Sequence, residues 1–502
     1  MSGSRRDEHV DDVDAVRPAT SGPATAGKTI GMIATLTDRL RGAVRNPDLR
    51  GALVTTSVRL VAAVVGLVLQ VTLARLMALQ DYGIYVILWT WVSVAGQIGV
   101  FGFYSSSMRF VPRYGRRGRP GHVSAFLATG FRVVILGSVL LSALALAVLV
   151  FGRSLIDPAF LLPLTVLSLG FPILSLETYL TGVSRSFGWY MLATVPGFIL
   201  RPIIVITGFL IARAIGITLD ATEVLTLVVL CSLVVLSLQA GILRRRLASG
   251  RTADQSEGPA DETGFADHAD APPPSPLLAA LSPAALTRHR RFWIVSSLLL
   301  MPAMAADELF VWIDVLLLGF LVPPEQASLY FAAQRALSLA AFVQYGFMVV
   351  AARGFSLSHA TADRAELQAR ITGATNATFW LTIPSVLLTV IVGYPLLSLF
   401  GPAFLSAYPC LLLLGLAYIL RGATGQAAEL LMVQGRYRLN FVMAAGSITA
   451  AVVFVILLVP VLGILGAALA MALVQLLRLV LGTWLIYRKT GYWVLVRPFR
   501  RG

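Results

Sequence analysis

The chain has 502 residues, of which 57% are hydrophobic and only 13% charged, with a mean hydropathy of +0.80. A water-soluble domain needs more charge than that to cover its surface, so the composition places the chain in a bilayer. The formal net charge of +15 does not point to nucleic acid, because the arginines lie in short connections between apolar runs and not along one face of a soluble domain.

The first fifty residues are polar and lack the apolar core and cleavage site of a secretory signal peptide. Gly22-Pro23-Ala24-Thr25-Ala26-Gly27-Lys28-Thr29 has phosphate-loop spacing, but no buried strand precedes it and the membrane region follows closely, so it is read as a chance match. Ile33, Leu36, Leu40 and Val44 recur at helical spacing among Arg39, Arg41 and Arg45, the pattern of an interfacial helix. Apolar runs long enough to span then appear near 52–77, 82–105, 126–151, 159–182, 189–213 and 221–243. Six more follow near 292–320, 326–352, 374–399, 405–432, 438–461 and 463–487. The expected fold is therefore an all-α polytopic membrane protein of about twelve transmembrane helices.

Connections rich in arginine alternate with short ones that carry mostly acids. Arg109, Arg113, Arg116, Arg117, Arg119, Arg185 and Arg244 to Arg246 mark one side, and Asp81, Asp157, Asp220, Glu223 and Glu325 the other. By the positive-inside rule both termini are expected in the cytoplasm, with the chain in the inner (plasma) membrane. A stretch rich in Asp, Glu, Pro, Ala and Ser at 247–291 reads as a disordered cytoplasmic linker. It separates an N-terminal lobe (52–246, spans 1–6) from a C-terminal lobe (292–488, spans 7–12), with tails at 1–51 and 489–502. A faint repeat links the lobes: Gln80-Asp81-Tyr82-Gly83-Ile84-Tyr85 and Glu325-Gln326-Ala327-Ser328-Leu329-Tyr330 occupy equivalent hinges. Two related lobes imply a cleft between them.

Cys231 and Cys410 fall inside apolar runs, and the five histidines lie in tails or loops, so neither a disulfide framework nor a metal centre is expected, and no cofactor. Ionisable side chains deep in spans carry more information, since each costs about 2.5 to 3.5 kcal/mol on insertion scales unless it faces a partner or a water-filled cavity. Arg201, Asp307, Glu308 and Arg421 lie near mid-span, and Asp314 and Arg335 toward the outer side. Arg59, Glu177, Glu429 and Arg478 lie toward the cytoplasm, where arginines can also snorkel to head groups. Asp307 and Asp314 share a helix face, and Asp314 and Arg335 sit at similar depth on adjacent spans, a pairing that also fits a structural ion pair. Arg201 is flanked by Pro196, Gly197 and Pro202, which predicts an interrupted helix lining a cavity. The glycines at 96, 99 and 102 and at 463 and 466, with Ala470, read as close-packing positions. A cationic cleft favours an anionic cargo.

Ordered stretches along residues 50 to 488 resemble the polysaccharide and O-antigen flippases of the Wzx type, within the multidrug/oligosaccharidyl-lipid/polysaccharide (MOP) exporter superfamily. They are Leu73-Ala74-Arg75-Leu76 with Asp81-Tyr82-Gly83-Ile84-Tyr85, Asp314-Val315-Leu316-Leu317-Leu318-Gly319 with Tyr330, Leu399-Phe400-Gly401 with Phe404 and Ala407-Tyr408, and Val459-Pro460 through Ala470. The resemblance implies two six-helix lobes around a central cavity that opens alternately to either side. It also implies a cargo, undecaprenyl-diphosphate-linked oligosaccharide, and a partner, a glycan polymerase or synthesis complex. The long N-terminal tail and acidic linker depart from the family's usual form. On this reading Arg59, Arg201, Arg335 and Arg421 are the candidate diphosphate contacts, Asp307 and Asp314 the candidate coupling or gating residues, and there is no covalent step. The rivals are an antiporter for cationic drugs, which needs buried acids in excess of arginines, a lipid II flippase, and a glycan polymerase or ligase, which needs large external loops.

Overall fold

The computed structural model describes residues 47–249, 283–338, 340, 364–425, 427–434 and 436–497. The interfacial helix expected at 33–44, the 22–29 pattern and most of the 247–291 linker lie outside the described residues. The described chain is all-helical, without strands. Helices α1 (Pro47–Leu76), α2 (Leu79–Gly99), α3 (Phe103–Arg116), α4 (Pro120–Phe151), α5 (Pro158–Ser186), α6 (Tyr190–Ala214) and α7 (Ala221–Ala248) precede the linker. After it come α8 (Pro283–Leu321), α9 (324–338), α10 (Arg364–Ile391), α11 (Gly393–Phe400), α12 (Tyr408–Ala423), α13 (Ala427–Val433), α14 (Tyr437–Leu462) and α15 (Ile464–Thr490).

Among the described residues nine helices are long and apolar enough to cross a membrane, and the bent pair α2 and α3 makes a tenth. The two other expected spans are α8, which carries Asp307, Glu308 and Asp314, and α9, beyond which the chain passes out of the described residues. The helices flanking the linker run further into 247–291 than hydropathy alone indicates, α7 to Ala248 and α8 from Pro283. Polar and basic residues extend a helix past the bilayer without breaking its backbone hydrogen bonds.

Expected span 2 breaks instead of running straight. Phe101 (φ 50°) and Gly102 (φ 74°) turn the chain between α2 and α3, which meet at 42°. Gly102 is required there twice: its φ is left-handed, and a methyl group would run into the carbonyl oxygen of Ser297 on α8. Ser106 and Ser297 hydrogen-bond at 2.7 Å beside it, and the Trp293 indole donates to the Tyr114 hydroxyl at 2.9 Å. The arginine-rich half of α8 thus packs on α3 and α4, while α8 also packs along α14.

At the acidic end the two halves meet directly. Arg75, in the last turn of α1, donates from Nε to the Leu399 carbonyl at 2.7 Å and from Nη2 to the Ser398 carbonyl at 2.6 Å. The rings of Tyr82 and Phe404 pack edge to face at 6.0 Å, and Gly83 lies against the Pro324 backbone. At the arginine-rich end the chain after α15 crosses the C-terminal half as a strap. Trp493 N donates to Gln368 Oε1 and Gln368 Nε2 to the Trp493 carbonyl, both at 2.9 Å. Val496 N donates to the Ala423 carbonyl at 3.1 Å, and Val494 is buried against Leu367, Ile371 and Leu430.

Candidate functional site

A cavity of about 840 Å³ lies between the two halves, lined by α1, α2, α3, α5, α6 and α7 from one and by α8, α9, α10, α12, α13 and α15 from the other. Among the described residues its ionisable lining is lopsided: Arg59, Arg185, Arg201, Arg335, Arg421 and Arg478 face it with Glu177 and Glu308. All four arginines named from sequence, Arg59, Arg201, Arg335 and Arg421, line this one space; Asp307 and Asp314 are outside its lining set.

The interruption expected around Arg201 is a π-helical turn, Pro196–Leu200, ending at that arginine. Proline without its N–H favours such a widened turn, which re-aims the following side chains. Arg201 Nη1 donates to both oxygens of Glu177, at 2.9 and 3.1 Å, and its guanidinium stands 5.1 Å from the centroid of Trp89. The Glu177 side chain is 8% exposed. Sequence reading placed Glu177 nearer the cytoplasm without a partner, yet the pairing has a readable signal. Glu177 lies nine residues before the end of α5 and Arg201 eleven after the start of α6, so the antiparallel hairpin brings them to similar depth.

Arg335 has a different setting. Its guanidinium lies 4.7 Å from the Trp312 ring and 4.6 Å from the Phe331 ring, and Nε is buried with no hydrogen-bond partner. Aromatic faces attract the cation without neutralising it, which leaves its charge available to the cavity. Asp314 does not pair with it: the carboxylate accepts from the Tyr330 hydroxyl at 2.6 Å and Gln334 Nε2 at 3.2 Å. Asp314 lies seven residues before the end of α8 and Tyr330 six after the start of α9, whereas Arg335 is almost a turn and a half further from the hairpin.

Expected span 405–432 is broken, and this moves Arg421 from mid-span to a rim. Helix α12 ends at Ala423, Gly425 (φ 53°) turns the chain tight against Thr375, and α13 begins at Ala427. Arg421 is exposed in the last turn of α12, and the strap bond from Val496 falls two residues on. Arg478 opens a second π-helical turn, Arg478–Gly482, and lies 4.8 Å from the Phe310 ring. Asp307 is exposed and near enough to Arg478 to interact electrostatically. Glu308 accepts from the Trp312 indole at 2.8 Å. Cations held on rings around a half-open cavity make an anion receptor.

No protein-family model and no curated relative matches the chain. Solved structures do match its fold. The lipid II flippase MurJ, in an inward closed conformation, superposes with a TM-score of 0.62 at 15% identity, covering 88% of both chains. An inward-facing multidrug resistance MATE family transporter of the MOP superfamily gives 0.62 at 12% identity, covering 88% of this chain and 98% of that one. A MOP superfamily transporter from Pyrococcus furiosus, for which reverse polarity of the binding pocket suggests a different function, gives 0.58 at 13% identity over 88% and 95%. These neighbours are transporters and flippases, not enzymes, and the chain is a multi-pass membrane protein with the fold they share.

Proposed function

We propose that this chain translocates an undecaprenyl-diphosphate-linked oligosaccharide across the inner membrane for surface polysaccharide synthesis, by alternating access. The observation that carries the reading is the cavity lining, six arginines against two glutamates among the described residues. Charges of one sign in a low-dielectric cleft are costly without a counter-ion, and a diphosphate diester supplies two negative charges in a compact group. The polyprenyl tail remains in lipid while the sugar crosses through the cavity water. A cation antiporter would need the opposite balance. Asp314 is a proposed gating anchor tying α8 to α9, and Asp307, beside Arg478, a proposed coupling residue.

The test is deletion of the gene in its host, followed by complementation. The expected result is a lipid-linked oligosaccharide accumulating in the cytoplasmic leaflet, relieved by the wild type and not by properly inserted Arg201→Gln or Arg421→Gln proteins. Unchanged glycan export in both variants refutes the role of these arginines. The fold shared with MurJ favours a second reading, a lipid II cargo. A lethal deletion with normal surface glycan decides for that one.

A further inference from the structure

The Arg201 and Glu177 pair contains a small asymmetry. Both carboxylate oxygens are held by a single guanidinium nitrogen, Nη1, not by the parallel two-nitrogen fork of the strongest arginine pairs. The arginine does not depend on the carboxylate for its position, because it follows directly from the π-helical turn and lies over Trp89. The carboxylate has a seat of its own: a side chain at Gly197 would put its Cβ 2.8 Å from Glu177 Oε1, so the acid rests against bare backbone. Both side chains line the cavity, and among the described lining residues of the N-terminal half Glu177 is the one carboxylate.

We propose that Glu177 is an internal substitute for the cargo anion, paired with Arg201 while the cavity is empty and displaced from it, with uptake of one proton, when a diphosphate arrives. This rests on the reading of the cavity as a diphosphate site. The exchange balances as follows: ionised Glu177 leaves Arg201, the diphosphate diester takes the guanidinium, and one proton from the cavity water neutralises the displaced carboxylate. A buried carboxylate that loses its cation and gains an anion beside it gives up its charge. Around the pair stand Tyr85 on α2 and Cys231 on α7, both within electrostatic reach of Arg201, with Arg59 on α1 and Arg185 on α5 along the same cavity wall. None of these is a second carboxylate; Glu308, on α8 in the same lining, accepts from the Trp312 indole at 2.8 Å. In this structure the pair supplies Arg201 with an anion.

Binding is measured on the full-length protein in lipid nanodiscs, with geranyl-diphosphate-N-acetylglucosamine as probe. Its diphosphate diester stays doubly charged from pH 5 to 8, so any pH dependence belongs to the protein. The wild type is expected to lose affinity by up to about tenfold for each unit of rising pH, the limit for one linked proton. Glu177→Gln is expected to bind tightly with no slope, Glu177→Asp to keep the slope, and Arg201→Gln to lose binding. A pH-indicator dye in weak buffer should record about one proton taken up per probe bound by the wild type, a measurement independent of any variant. Probe binding by the wild type without slope or proton uptake, or with the same slope in Glu177→Gln, overturns the exchange and leaves the diphosphate site standing. No binding by the wild type, or equal binding by Arg201→Gln, overturns the diphosphate site and the exchange with it.

Discussion

Replacing Arg75 with alanine tests what holds the acidic end shut. Arg75 makes two charged hydrogen bonds, at 2.7 and 2.6 Å, to the carbonyls of Leu399 and Ser398, in the final turn of α11. Those carbonyls have no partner within their own helix and carry its negative end, so a cation there is doubly favoured. Hydrogen bonds to a charged group contribute about 1.5 to 3 kcal/mol each when buried. Arg75 is exposed, and solvent screening reduces the figure to about 1 kcal/mol each, or about 2 kcal/mol for the pair. That is about a thirtyfold change in the ratio of closed to open acidic ends. The packing of Tyr82 on Phe404 and of Gly83 on Pro324 remains, so the variant should fold. Spin labels on cysteines at Ala78 and Ser406, both exposed, report the separation by pulsed electron resonance; the native Cys231 and Cys410 are buried. Arg75→Ala is expected to populate a longer distance, and Arg75→Lys, which keeps the charge but one donor fewer, an intermediate mixture. A distance distribution identical to wild type in the alanine variant would refute the latch.

Two further perturbations address the frame of the site. Gly102→Ala incurs about 1 to 2 kcal/mol for the left-handed backbone alone and also pushes α8 off the bend, separating Ser106 from Ser297, so thermal stability in detergent should fall clearly; wild-type stability would show that the contact yields freely. Ending the chain at Gly491 removes the strap bonds to Gln368 and Ala423 and the buried Val494, a loss of about 3 kcal/mol that should appear as faster hydrogen exchange across α13, with α4 unchanged. Uniform exchange in the two helices would place the strap outside the packing of the rim.

Hydropathy and charge were enough to read the helical class, because spanning lipid demands long apolar runs and arginines mark their ends. The cavity arginines were legible for a related reason: a cation at the depth of Arg201 or Arg335 is too costly to be incidental. Position along a span gives depth but not direction around the helix axis. Position along its span puts Glu177 toward the cytoplasm, while the hairpin brings it level with Arg201. Depth alone also fits Asp314 to Arg335 as an ion pair, whereas counting from the hairpin matches it to Tyr330. The ring platforms under Arg201, Arg335 and Arg478 were invisible, since an aromatic residue in a span looks like any other apolar filler. Glycine carried a sharper message than its packing role suggested. At Gly102 and Gly425 a positive φ breaks what hydropathy draws as one span, and the second break delivers Arg421 to a rim.

Helix α8 follows the linker, yet its arginine-rich half packs on α3 and α4 while it also packs along α14. The point where the sequence divides the chain is therefore not the point where the molecule divides. A protein made as two pieces, one ending at Ser249 and the other beginning at Pro283, still has Trp293 to set against Tyr114 and Ser297 against Ser106. The second piece carries its own docking element for the first, so the two pieces, expressed together, are expected to co-purify.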